Sequence, residues 1–502
     1  MIRKLLLRNT TYGMAAQATG VLSALFVTPL IIRFLGLSTY GLWTLATSFV
    51  GFFGLTDLGL RHAIGRFIAL HNSRNENEKI NHVIVTALAI LTGCSFFIAM
   101  GTLVGTWLFP YIFHIAADQM TTASVLVLLT GLSVAVSMCF DVFDAVLVGF
   151  GRYDWLYQIE IGAGIARVVA VVALLLTGNG VIAIVAANVA VSIAAGFVKV
   201  WLAFKQFPPL RLALSNCQLS TAKELYGLGI WSFVNMLWVR LAFMTDNVVV
   251  GWALDTKAVA IYSIAGRLIA LAVSGADAFS NVLMPFAVSF HGTNDDAKQR
   301  RLFLEGTKAS LFYVLFIATV YIVCGSSIIE AWVGPSFRDS ANVLCVLTLP
   351  VICFVAAKPA SIVLFSMGSG TYRWVAAIYW VDAVANLILS IILVKLWGMI
   401  GVAYGTMFTM TISLFLVLPL FTCRVLHISY FEYLRRTYLS AVGVIVPLSG
   451  LLLGAMYLWH PVRLMPLTAI LAGIGGTYYG TVYYWYARHR PAAVTQPAAA
   501  PG

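Results

Sequence analysis

Four basic side chains, Arg167, Arg240, Arg267 and Lys358, stand inside stretches of the chain that are otherwise almost wholly apolar. A charge at the centre of such a stretch costs about 2.5–3.5 kcal/mol to place in a membrane, so it must face protein, a water-filled cavity or a partner. Arginine is the most informative of them. Its planar guanidinium can hold a phosphate or a carboxylate through two parallel hydrogen bonds. Arg267 lies about ten residues into its stretch, roughly 15 Å deep at 1.5 Å per residue, and Arg240 lies somewhat nearer the outer face. Both read as contacts for an anionic cargo; the alternative is an internal salt bridge to Asp246 or Asp277.

The carboxylates suggest different chemistry. Asp382, near the middle of its stretch, is the preferred carrier of a proton or sodium ion, with Asp246 and Asp277 as further ion-coupling candidates. Lys358 and Asp382 occupy consecutive stretches and are placed to pair. Asp57 and Arg61, four residues apart, share a helix face and are candidates for an inner gate. Arg33, at the outer end of the first stretch, is a third gate or cavity candidate that reads more simply as a snorkelling anchor. Asp141, Asp144, Arg152, Glu160 and Arg167 read as a structural zip between two consecutive helices.

Several kinds of chemistry are missing. The seven cysteines are scattered singly without a CxxC, and the eight histidines show no ligand spacing, so neither a metal nor a disulfide framework is expected. No GxxxxGK[ST] loop occurs, so the chain does not itself hydrolyse ATP. No catalytic pair is found, and the outer connections are too short to house one. The chain does not read as an enzyme.

The elements that must position these residues are membrane spans. The chain is 61% hydrophobic and 10% charged, with a mean hydropathy of +0.92. A span needs about 20 apolar residues. Fourteen such stretches are found, near 11–34, 40–60, 83–108, 121–143, 159–177, 180–204, 224–250, 258–288, 309–330, 341–366, 372–395, 399–421, 438–459 and 464–487. The fold class is all-α and polytopic. With both termini inside, 22 of the 31 lysines and arginines fall on inner segments, as retention of basic residues on the cytoplasmic side requires. The net charge of +12 is therefore a topology signal directed at anionic lipid headgroups, and nucleic acid is not a partner. The first stretch is too long for a signal-peptide core. The opening MIRKLLLRNT reads as an amphipathic surface segment.

An internal duplication organises the spans. The segment 205–222, with Pro208-Pro209, separates a bundle at 1–204 from a second at 223–421. Two further spans follow at 422–487, and a disordered inner tail at 488–502. The outer turn from Phe34 (FLGLSTYGLWTLATSF) and the one from Trp252 (WALDTKAVAIYSIAGRL) match as parallel repeats, an arrangement that places cargo near the midplane between halves. The glycine pairs Gly101/Gly105, Gly401/Gly405 and Gly450/Gly454 read as close helix contacts.

FLGLSTYGLW at 34–43, GFFGLTDLGLRHAIGRFIA at 51–69, GFGRYDWL at 149–156 and AIYSIAGRLIAL at 260–271 resemble the Wzx-type polysaccharide transporters. These belong to the multidrug/oligosaccharidyl-lipid/polysaccharide superfamily, and the likeness extends over about residues 8–487. The resemblance implies two six-helix bundles in a V, a MATE-like fold, plus two C-terminal helices. It also implies a flippase that carries polyprenyl-pyrophosphate-linked oligosaccharide across a bacterial inner membrane by alternating access. The implied partners are an undecaprenyl-pyrophosphate-type glycolipid, membrane lipids, and the polysaccharide polymerase and export machinery. The implied destinations are O-antigen, capsule or exopolysaccharide. No cofactor is expected, and an H+ or Na+ gradient would drive the cycle unless consumption of the product does. Two other readings are a cation-coupled multidrug exporter on the same fold and a membrane-embedded sugar polymerase or ligase.

Overall fold

The computed structural model describes residues 2–54, 60–459, 473 and 475–480. The described chain is helical throughout, and nine of its helical stretches are long and apolar enough to cross a membrane. The expected spans up to 438–459 fall on helices, save that 40–60 is helical to Gly51 and its residues 55–59 lie outside the described residues, as does most of 464–487. The helices are α1 (Ile2–Leu35), α2 (Leu37–Gly51), α3 (Leu60–Ser73), α4 (Asn77–Ile112), α5 (Met120–Gly149), α6 (Tyr153–Leu176) and α7 (Val181–Gln206). After these come α8 (Leu219–Ala253), α9 (Thr256–Gly292), α10 (Asp296–Val333), α11 (Asp339–Ser366) and α12 (Ser369–Met410). A π-helical turn at Thr411–Val417 leads into α13 (Leu418–Val425), which α14 (Tyr430–Leu434) and α15 (Ser440–Trp459) follow.

Large apolar side chains such as Phe97, Leu103 and Trp107 on α4 stand exposed. In water they would form an aggregating patch; in a bilayer they meet lipid. The chain is a multi-pass membrane protein.

Breaks between helices follow local chemistry. Within α12 the helix stops at Trp397 and at Gly398, whose φ of 61° and ψ of −145° are open only to glycine. Two antiparallel spans result, and they pack closely. A Cβ on Gly401 would stand 2.1 Å from the Leu393 carbonyl, and one on Gly405 within 3.0 Å of the Ser390 backbone. The expected contact at this pair is therefore present. A Cβ on Gly105 would stand 3.1 Å from the Phe49 ring, whereas one on Gly101, Gly450 or Gly454 meets nothing within 4 Å among the described residues.

By packing, the chain forms two compact units: Met1–Arg267 with Ala376–Thr409, and Leu268–Val375 with Met410–Gly502. In the first, Leu60, Ile64 and Ile68 of α3 pack with Ile80, Ile84 and Leu91 of α4 and Val142 and Val146 of α5. The segment 205–222 is pinned to the start of α4. Asn81 accepts from the Arg211 backbone at 2.8 Å and donates to the Pro209 carbonyl at 3.0 Å, and the Thr86 hydroxyl accepts from the Gln218 backbone. In the second unit, Tyr433 stacks on Phe303 of α10 at 5.0 Å, and the Tyr478 hydroxyl donates to the Phe312 carbonyl at 2.8 Å.

Candidate functional site

The two outer turns matched as repeats meet in the first unit. Ser38, which opens α2, lies 3.0 Å from the Thr256 hydroxyl at the start of α9. A Cβ on Gly41 would fall 1.7 Å from the Thr256 carbonyl, and one on Gly251 would strike Leu45. One turn further in, Asn247 of α8 donates to Ser48 at 3.1 Å. These small residues bring α2 against the ends of α8 and α9 with no room between, and Tyr40, Leu42 and Leu45 are fully buried there.

Below this seal lies a buried polar network built by α8, α9 and α12. Tyr262 donates to Asp246 at 2.6 Å. The Thr406 hydroxyl receives from Asn386 at 3.0 Å and donates to the same Asp246 oxygen at 3.1 Å. One helical turn from Asn386, Asp382 accepts from the Trp238 indole at 3.0 Å, and the Trp238 ring stacks on Tyr379 at 3.9 Å. All of these side chains are 7% exposed or less. The second oxygen of Asp246 and the carbonyl oxygen of Asn386 are buried without a hydrogen bond. A buried oxygen that lacks a donor is costly, and a carboxylate beside an amide and a hydroxyl offers the oxygen-only donor set suited to a proton or a hard cation.

Arg267 is half-buried on α9. Its guanidinium stands over the Tyr40 ring at 5.7 Å. Among the described residues no ion pair of Arg267 is found, Asp246 being held by Tyr262 and Thr406 and Asp277 by Lys358; for Arg240 the salt-bridge alternative lies outside the described residues. Arg240 lies on α8, with its side chain outside the described residues.

Other sequence expectations are corrected. Asp57 lies outside the described residues. The expected Asp57–Arg61 pair therefore lies outside them too; Arg61 itself reaches across to α5 and bridges Asp141 at 2.7 Å and Asp144. The buried Asp144 also takes Lys199 of α7 at 2.9 Å. The zip thus joins α5 to α3 and α7 rather than to α6, because the cations that reach inward come from those helices. Arg167 donates instead to Ser192 at 3.2 Å. Arg152 stacks on Trp155 and, with Arg8, holds the buried Asp154. Lys358 does not pair with Asp382; in the second unit its ammonium binds Asp277. Arg33 is exposed at the end of α1.

The residues that sequence reasoning missed are Tyr262, Thr406, Asn386 and Trp238. Asn386 had a signal, since it lies four residues after Asp382 on the same helix face. The other three come from separate helices and have none.

A family model described as polysaccharide biosynthesis protein matches residues 30–342. The probable flippase AglR of Haloferax volcanii is 23% identical over 414 residues, 81% of this chain and 82% of its own length. EpsK, an uncharacterized membrane protein of Bacillus subtilis, is 22% identical over 366 residues, 70% of each chain. Among solved structures, lipid II flippase MurJ in an inward closed conformation is similar with a TM-score of 0.73 at 16% identity, covering 95% of this chain and 99% of that one. An inward-facing MATE-family multidrug transporter of the MOP superfamily reaches 0.70 at 16% identity, covering 81% and 94%. At such identities the structural likeness speaks for the fold, which is the MATE-like fold of that superfamily.

Proposed function

For a chain that belongs to the polysaccharide biosynthesis protein family, we propose that the transported species is a polyprenyl-pyrophosphate-linked oligosaccharide. The chain would carry it from the cytoplasmic to the outer leaflet of a bacterial inner membrane for surface polysaccharide assembly, with both termini in the cytoplasm. The observation that carries this reading is Arg267. It is a guanidinium within an apolar helix, with an aromatic ring as its companion and no carboxylate among the described residues. A cation in a span with no counter-ion among the described residues is poised for an anionic partner, and a pyrophosphate suits the planar fork of arginine.

In the cycle, Arg267, with Arg240, neutralises the headgroup in a wet cavity while the lipid tail stays in the bilayer. The contacts between α2 and α8/α9 then part, opening the way outward. Asp246, with Asn386 and Thr406, carries the coupling proton or sodium ion. One charge moved through 100 mV yields about 2.3 kcal/mol, enough to bias the two states without ATP.

The test is the leaflet distribution of labelled lipid-linked oligosaccharide in membrane vesicles with and without the protein. Protein-dependent appearance of the label on the outer leaflet is expected. Equal accessibility in both preparations overturns the proposal, and resistance to cationic drugs conferred by the protein would favour the exporter reading instead.

A further inference from the structure

Lys358 of α11 and Asp277 of α9 form an ion pair for which the cycle above has no use. Their side chains are 15% and 50% exposed, an unequal division for two groups in the apolar helices of a membrane protein. Among the described residues, the Lys358 ammonium also meets the Phe354 ring, 4.5 Å away. Tyr313 of α10, the neighbouring hydroxyl, is already committed to the Ala272 carbonyl at 3.0 Å. It sits so close to α9 that a Cβ on Gly275 would strike it.

A half-exposed carboxylate within a membrane-spanning helix must face water or protein rather than lipid, so the open side of Asp277 reads as a wet one.

The two partners therefore differ in what they can tolerate. Asp277 can turn into water at small cost. Lys358 is enclosed, and an ammonium left unpaired in a low dielectric is strongly disfavoured. Such an arrangement lets an incoming anion replace Asp277 while Lys358 stays paired throughout. We propose that Lys358 is an anion-binding residue for the phosphate of the lipid-linked cargo and that Asp277 is its resident counter-ion, displaced on binding. The inference rests on the flippase reading.

The full-length protein in detergent is titrated with undecaprenyl pyrophosphate, with undecaprenol and with free glucuronate. The wild type is expected to bind the pyrophosphate and not the alcohol. Lys358→Met should weaken that binding at least tenfold, Lys358→Arg should restore most of it, and Asp277→Asn should leave it unchanged or tighten it severalfold. A purely structural ion pair predicts the opposite for the last variant, since losing either partner breaks it. Asp277→Asn weakening binding as much as Lys358→Met, or Lys358→Met binding like wild type, overturns the proposal. Loss confined to glucuronate would move the contact from the lipid phosphate to an acidic sugar and overturn it as stated. Equal wild-type affinity for pyrophosphate and alcohol would sink the flippase reading itself, a different result from either.

Discussion

The Tyr262 hydroxyl lies 2.6 Å from the Asp246 carboxylate and ties α9 to α8 at the centre of a buried network. The same carboxylate oxygen takes Thr406, while its companion oxygen has no hydrogen bond. Replacing Asp246 by Asn preserves an acceptor for both hydroxyls but removes the charge that a proton or sodium ion would neutralise. Asp246→Asn should therefore insert and melt like wild type and lose the dependence of transport on the ion gradient. Tyr262→Phe takes a donor from a buried charge, at about 1.5–3 kcal/mol, and should lower the melting temperature in detergent. An Asp246→Asn protein still driven by the gradient would remove Asp246 from the coupling role.

How much of this was legible in the sequence depends on the range of the interaction. Spans and their turns are written locally: a run of apolar residues fixes a helix, and Gly398 fixes the reversal between the two halves of α12. Arg267 was legible too, since a single charge in an apolar run stands out without any knowledge of the fold. Partner choice was not. Adjacency suggested Asp382 for Lys358, whereas its partner is Asp277, and nothing local announced that Arg61 bridges Asp141 and Asp144. A buried ion pair is set by which helix faces meet, and those faces are chosen by packing of the whole bundle. Thr406 and Trp238 are ordinary residues until the fold brings them to Asp246 and Asp382.

Asp144 is the carboxylate on which α3, α5 and α7 converge, at 2% side-chain exposure, with Arg61 and Lys199 as its cations. Removing it strands Lys199, which is 16% exposed, whereas Arg61 can retreat toward solvent. Asp144→Ala should cost about 3 kcal/mol, the lower end for breaking a buried pair, read as a lower melting temperature. Lys199→Met with Asp144→Leu should recover most of the loss, since an apolar pair of similar volume carries no desolvation penalty. A double variant no more stable than Asp144→Ala would argue against the network as the cause.

Gly41 sets the seal between α2 and α9. With a Cβ 1.7 Å from a backbone carbonyl, the helices must separate, at about 1–3 kcal/mol for overpacking. Gly41→Ala should hasten labelling of a Ser38→Cys reporter by an impermeant maleimide. Gly20→Ala, where a Cβ meets nothing within 4 Å, should leave the labelling rate unchanged. Equal rates in both would mean that the seal does not depend on this approach.

Asp295 caps α10 from the loop before it. The Lys298 ammonium at 2.7 Å and its backbone N–H at 3.0 Å hold the Asp295 carboxyl below its ordinary value. A depressed folded value means that the cap's contribution is present above the unfolded value, about 3.9, and is lost as pH falls through the folded one. Amide exchange in the first turn of α10 should therefore accelerate below about pH 4, beyond its intrinsic pH dependence. Asp295→Asn keeps a capping oxygen without a titrating group, and its protection should be flat over that range. Matching profiles for the two proteins would show that Asp295 does not control the turn.

Arg267 decides whether the cargo is held by charge. Its guanidinium has the Tyr40 ring at 5.7 Å and no acidic partner among the described residues, so among these a role confined to structure rests on the aromatic contact. A cation over a desolvated ring contributes about 2 kcal/mol, which falls short of an arginine's insertion cost, about 2.5–3.5 kcal/mol. Arg267→Ala, at matched expression, should abolish outward movement of lipid-linked oligosaccharide with little change in melting temperature. Arg267→Lys keeps the charge but loses the fork, and should restore part of the rate with a raised requirement for substrate. Tyr40→Leu removes only the ring, so if Arg267 acts through Tyr40 it should reproduce the alanine phenotype. If Arg267 acts on the cargo, Tyr40→Leu should transport at a rate near wild type while Arg267→Ala does not.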